Sequence, residues 1–191
     1  CIGALKPKVI PFFNKSIGFD LKRGDWVAPY GEGNISDFIF CIERELYGKN
    51  DDGYQLFDAK LTVSFSNPDD GIMPVYVPVP VHSALRMPRF APESGYQTNL
   101  VRKVARTKDG LYVERRDDQN YFFRLRAQRD NAGNITNALY GKIHGEIEFE
   151  WDGRIRFTYY LNPTPNDRNL EFDPKRNLFT NLDSLEQVTE P

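Results

Sequence analysis

The stretch that most constrains the fold is GKIHGEIEFEWDGRIRFTYYLNP, residues 141 to 163. Ile143, Ile147 and Phe149 alternate with Lys142, His144, Glu146, Glu148 and Glu150, and beyond Trp151-Asp152-Gly153 the apolar Ile155 and Phe157 alternate with Arg154, Arg156 and Thr158. A period of two belongs to strands with one face buried and one in water, so the segment predicts two strands joined at a tight turn. A three-residue loop over 151 to 153, with Gly153 left-handed in a type I turn plus bulge, sets Phe149 opposite Ile155 and Ile147 opposite Phe157. On the other face it sets Glu150 opposite Arg154 and Glu148 opposite Arg156. A two-residue loop would oppose apolar residues to charged ones, so the three-residue register is expected.

The same x-Asp-Gly signature at Lys108-Asp109-Gly110 predicts Thr107 opposite Leu111 and Ala105 opposite Val113. RRDDQNY leads into YFFRLRAQR, where Tyr121, Phe123, Leu125 and Ala127 face one way and Arg124, Arg126 and Gln128 the other. Residues 100 to 161 therefore read as an antiparallel meander interrupted by the polar loop RDNAGN at 129 to 134. Upstream, DFIFCIEREL and YQLFDAKLTVSFS supply two further strands joined through YGKNDDG, with Leu61, Val63 and Phe65 inward. NPDDG at 67 to 71 is a turn. The following IMPVYVPVPVHSALRMPRFAP is punctuated by proline, which cannot donate to a ladder, and is expected as an edge strand or a surface crossing.

Composition agrees: 14 Phe and 10 Tyr against 2 Met favour pleated sheet over helix. After Leu161 the text NPTPNDRNLEFDPKRNLF has no period, and TNLDSLEQV is the one short helix candidate, capped by Thr180 or Asn181. The expectation is one all-β domain, an antiparallel β-sandwich or jelly roll over residues 9 to 161, with a tether at 1 to 8 and an irregular Pro-rich segment at 162 to 191. Lys plus Arg (25) nearly balance Asp plus Glu (27), so nothing in the charge points to nucleic acid as a partner.

Catalytic signatures are sparse. The sequence has no GxSxG, HExxH, P-loop or GxGxxG, and GEG at 31 to 33 reads as a flexible turn. Two histidines, His82 and His144, stand in different strand contexts, and the alternation leaves His144 on a solvated face. The carboxylate pairs Asp51-Asp52, Asp69-Asp70 and Asp117-Asp118 sit in turns, and the row Glu146, Glu148, Glu150 meets cross-strand arginines, so turn chemistry and surface ion pairs account for them better than a hydrolytic cleft does. No loop matches an EF-hand, one interior cysteine without CxxC offers no thiolate metal site, and no cofactor is expected.

Trp26 in GDWVAPYGEG, Tyr30 four residues on, and Trp151 at the hairpin tip are candidates for a sugar-stacking platform; the bland reading has the tryptophans folding back to plug the sandwich. Arg124 and Arg126, with Arg102, Arg106 and Arg116, form either a solvated arginine face or an anion-binding one. Asn14, Asn34 and Asn134 each open an Asn-x-Ser/Thr triplet. Cys41 reads as a small buried apolar residue of its strand, with a Cys1–Cys41 bridge left open.

Cys1, followed by small and apolar residues and then Lys6-Pro7-Lys8, resembles the start of a mature bacterial lipoprotein. The resemblance concerns processing class and covers the first few residues only. It implies lipidation of Cys1, a short membrane tether over residues 2 to 8, and an extracytoplasmic place at the bacterial envelope. The function then expected is a non-enzymatic, membrane-tethered structural or assembly component of an envelope or extracellular complex, with protein partners. A carbohydrate-binding module and a polysaccharide or cell-wall hydrolase are the alternatives.

Overall fold

A computed structural model describes residues 1–78, 87–180 and 182–189. Within them the chain is an all-β sandwich of two antiparallel sheets. The first sheet runs in the order β1 (Ile2–Val9), β11 (Arg154–Asn162), β10 (Ile135–Phe149), β9 (Gln119–Arg129), β6 (Gly71–Tyr76). The second runs β3 (Asp25–Trp26), β2 (Ile17–Asp20), β4 (Phe38–Lys49), β5 (Gln55–Ser64), β7 (Asn99–Thr107), β8 (Gly110–Val113). Between them lies an aromatic core in which Phe19, Phe38, Phe40, Phe123 and Phe157 meet mostly edge to face.

The tip of the β10–β11 hairpin has the expected register. Phe149 faces Ile155, Glu148 faces Arg156, and Gly153 holds φ 99° with its N–H donating to Glu150 O at 3.0 Å. Arg154 reaches Glu150 at 2.6 Å. The expected Ile147–Phe157 pair gives way to a bulge between His144 and Glu148, with Gly145 at φ 74°. Four steps on β10 there face two on β11 (His144 to Thr158, Glu148 to Arg156). An insertion of two preserves the parity of the strand, so Ile143 and Ile147 both stay in the core. What changes is Glu146, which swings to Arg102 of the second sheet at 2.9 Å and accepts from the Tyr121 hydroxyl at 2.9 Å.

Four other expectations are corrected. Lys108-Asp109 form a two-residue connection, so Thr107 faces Gly110 and Val104 faces Val113; Val104 packs on Phe57 and Ala59, which places Val113 on the core-facing side. Residues 2 to 8 are not a tether but most of β1, paired along its length with β11, with Ile2 and Ala4 in the core. TNLDSLEQV makes a turn over residues 184 to 186 rather than a helix, and of its two cap candidates Asn181 lies outside the described residues. Arg124 and Arg126 do not form a solvated face. Arg124 is buried and donates to the carbonyls of Asp69 and Glu93, because the segments around Met87–Ala91 and Leu170 cover the outside of the first sheet.

Arg126 sits at φ 54° where the β9–β10 ladder shifts, and turns inward to clamp Asp37 through two bonds at 2.8 and 2.9 Å and Asp20 at 3.4 Å. Asp70 accepts from the N–H groups of Arg126 and Ala127 at 2.9 and 2.8 Å, which fixes that irregular backbone. Burial pushes the Asp37 carboxyl above the usual carboxylate range while the Arg126 guanidinium pulls it down. The Arg126 clamp and the Arg102–Glu146 pair are two ionic staples between the sheets, and both require bulges to aim them.

Of the proline-rich run after residue 71, the described parts form edge strand β6 and, from Met87 on, a surface crossing, while residues 79–86 lie outside the described residues.

Candidate functional site

The tryptophans do not make a joint surface. Trp26 is only 5% exposed: its indole N–H donates to Val9 O at 3.1 Å and its ring meets Phe19 and Phe40 edge-on at 5.2 and 5.8 Å. Its strand pairs it with Phe19, inside the core, so it has no free face for a sugar ring. Trp151 is half-buried and stacks on Phe57 at 5.8 Å, with Arg44 donating to its carbonyl at 2.7 Å, and so closes one end of the sandwich. Tyr30 lies beside exposed Phe12 at 5.5 Å, and the Lys15 ammonium sits 5.2 and 5.3 Å from the two ring centres while donating to the Tyr30 hydroxyl. The platform expected from Trp26, Tyr30 and Trp151 therefore does not assemble, because two of its rings plug the fold and the third is occupied by a lysine.

The remaining sequence candidates are scattered. His82 lies outside the described residues. His144 is buried rather than solvated, its ring 4.5 Å from that of Tyr160 on the neighbouring strand. Cys1 is partly exposed and its thiol donates to Glu171 O at 3.2 Å. Cys41 is also a free thiol and only half-buried, in the second sheet, so the two cysteines are not bridged. Asn14, Asn34 and Asn134 are all exposed.

A groove of about 570 Å³ lies along the second sheet around Glu43, Glu45, Tyr47, Asp58 and Lys103. Glu45 and Asp58 are opposed across β4 and β5, and the Tyr47 hydroxyl sits 2.7 and 2.9 Å from the two carboxylates. One hydroxyl proton serves only one carboxylate at a time, and both acids stand in open water, which screens them and leaves neither with the buried surroundings a general acid at neutral pH needs. Lys60 pairs with Glu43 across the same strands. This is a screened ion network on a sheet face.

The chemistry that stands out is on the backbone. At three of the four sheet edges a neighbouring segment bonds to outward main-chain groups. Along β1, Gly3 exchanges two bonds with the Asn177 side chain at 3.1 and 2.7 Å, Leu5 N–H donates to Glu186 O at 3.0 Å, and Cys1 O accepts from Leu178. Along β6, Ile72 and Gln97 exchange bonds at 2.9 and 2.8 Å. At β3, Trp26 O accepts from Gly33 of the following loop at 2.9 Å. Among the described residues nothing pairs with the outer edge of β8. That strand is also apolar: Leu111, Tyr112 and Val113 are 51, 55 and 52% exposed.

Leu111 and Val113 lie on the core-facing side of the second sheet, where the first sheet leaves them about half exposed. A groove of about 210 Å³ runs beside Val113, lined by Arg102, Val104, Glu146, Ile147 and Phe149. The sequence signal for this site was present in the x-Asp-Gly turn and the Leu-Tyr-Val run, but a bare edge is legible only once the sheet order is known.

No family model, no curated protein and no solved structure matches the chain.

Proposed function

We propose that this protein is a non-enzymatic structural or assembly component of an envelope or extracellular complex, and that it works through the β7–β8 hairpin. The observation behind this reading is the bare edge of β8 among the described residues, carrying three apolar side chains each about half exposed, where each of the other three sheet edges takes at least one bond from a neighbouring segment. An edge strand with unpaired N–H and C=O groups is a template for a further strand, and folds that do not use such an edge blunt it with lysine, proline or a bulge. Gly110–Val113 has no lysine, proline or bulge, and only its four-residue length limits the edge. The carbohydrate-binding and hydrolase readings have weaker support: the aromatic rings are engaged within the fold, and the paired carboxylates Glu45 and Asp58 are fully wetted.

The test is site-specific photo-cross-linking in the source cell. A photoreactive phenylalanine in place of Tyr112 is expected to give a discrete adduct, and the same probe at Tyr54, exposed on the β4–β5 connection, none. Absence of any adduct at position 112, or turnover of a polysaccharide by the purified protein, would overturn the proposal.

A further inference from the structure

The edge of β8 is self-complementary, and we infer that its partner is a second copy of this chain, paired antiparallel about a two-fold axis at Tyr112. This rests on the reading of β8 as a contact edge and adds the identity of the occupant.

The hydrogen-bond pattern comes first. Lys108 and Asp109 form a two-residue turn, so Thr107 and Gly110 are the closing, hydrogen-bonded pair of the hairpin. Bonded and non-bonded pairs alternate from there. The main-chain groups of Gly110 and Tyr112 therefore point toward β7, and those of Leu111 and Val113 point out to the open edge. In a symmetric antiparallel pair one residue lies opposite itself. With Tyr112 on the axis, Leu111 of each copy faces Val113 of the other, and all outward N–H and C=O groups of the two strands find partners in four bonds. With Leu111 or Val113 on the axis, half of that pairing would fall on residues beyond β8.

The same register matches the side chains. Leu111 packs against Val113 of the second copy on both sides of the axis, on the side where the first sheet fails to cover them, and Tyr112 meets its own copy on the opposite face. Continued past the strand ends, into the turn on one copy and the segment leading to β9 on the other, the register brings Asp109 toward Arg115 of the second copy, twice by symmetry. Among the described residues of one chain Arg115 has a loose ionic neighbour, Asp117 at 3.9 Å, and both side chains are widely exposed. Lys108 comes opposite Arg116, whose guanidinium is already held by both oxygens of Asp118 at 2.9 and 3.0 Å, which softens that like-charge approach. Four backbone bonds and three side chains per copy make a small interface, so the dimer is expected to depend on concentration. The product is one continuous sheet built from the two second sheets.

Sedimentation equilibrium of the purified full chain over a range of concentrations reads this directly. The wild type is expected to show a reversible monomer–dimer equilibrium. Val113→Pro removes an outward N–H that serves no bond in the monomer, and is expected to leave the thermal transition in place and the protein monomeric. Asp109→Arg and Arg115→Asp should each weaken dimerisation about tenfold, and the two together should restore it to within about threefold of wild type. The restoration cannot come from a merely structural effect, and it decides the matter even if the proline variant fails to fold. A wild type that stays monomeric throughout, or a dimer untouched by either set, overturns the inference. A monomeric purified protein that still yields a foreign adduct at position 112 in the cell would end self-pairing alone; no adduct at all would end the contact-edge reading with it.

Discussion

The outer edge of β1 and the outer edge of β8 pose the same problem and meet opposite fates. Both are terminal strands with alternate main-chain groups pointing off the sheet. At β1 those groups are met by a segment with no period at all: Asn177 doubles as a strand through its amide, and Glu186 contributes both its carbonyl to Leu5 and its carboxylate to Lys6 at 2.8 Å. Gly3 makes this approach feasible, since a Cβ there would stand 2.7 Å from the Phe172 ring. At β8 nothing comparable arrives from the described residues, and the strand keeps its apolar side chains in water. Irregular sequence is therefore not idle sequence in this fold. It decides which edge is closed and which remains available.

The comparison can be broken most forcefully at the cover itself. Leu170 is fully buried against Phe122 and Tyr140 on the outside of the first sheet, so Leu170→Ala is expected to cost about 3 kcal/mol in urea unfolding, whereas Leu111→Ala on the bare hairpin should cost less than about 0.5 kcal/mol. Equal losses at the two positions would mean that the tail is not part of the folded unit.

A second test concerns what the cover does to charge. Lys142 is only 4% exposed beneath the C-terminal segment, with the Tyr160 ring 5.0 Å from its ammonium. Burial lowers its pKa to about 8, with the Glu171 carboxylate pulling the other way. The folded value lies below the unfolded one, near 10.4, so above pH 8 the unfolded chain holds more protons and stability should rise with pH through that window. Near pH 10 the tyrosines reverse the trend, because burial holds Tyr121 and Tyr159 neutral in the native state. Lys142→Met is expected to stabilise the protein by about 2 kcal/mol at pH 7 and to flatten the rise between pH 8 and 9 in thermal melts. A loss of stability at pH 7 would show that the ammonium is better served there than its burial implies.

The mildest perturbation sharpens the edge argument. Asn177→Ala removes two bonds to Gly3 and is expected to cost about 1 to 2 kcal/mol, with faster amide exchange at Gly3 and Leu5 but not at Leu111 or Val113, which should already exchange freely in the monomer. Slow exchange at Leu111 and Val113 in dilute solution would mean that β8 is closed after all.

Much of the sandwich was legible from short-range pattern. The tip of the β10–β11 hairpin, the inward set of β5 and the edge position of β6 each follow from a period of two or from proline. The sites that misread are those where a second influence acts. Gly145 inside an alternating strand was a readable mark of the bulge that redirects Glu146. The runs Tyr121-Phe122-Phe123 and Tyr159-Tyr160-Leu161 break alternation because both faces of the first sheet are covered there, and an unbroken apolar run is the usual sign of two-sided burial. His144, Lys142 and Arg124 were placed in water by a rule that holds for one-sided sheets only. Trp26 and Tyr30 carried no local sign of whether a ring would face out or in.

What the sequence determined by itself is the class of fold and the register at the tip of the β10–β11 hairpin: strands and tight turns depend on residues within a few positions of one another, whose alternation and turn chemistry act wherever the strand ends up. What the tertiary structure alone decided is the fate of each surface. Lys6 meets Glu186, Arg126 meets Asp37 and Asp20, and Asn177 meets Gly3 across separations of most of the chain or half of it. Contacts of that range leave no periodic trace, because closing a long loop costs nearly the same entropy whichever residues meet, and the choice falls to burial and hydrogen bonding that exist only after the sheets have packed.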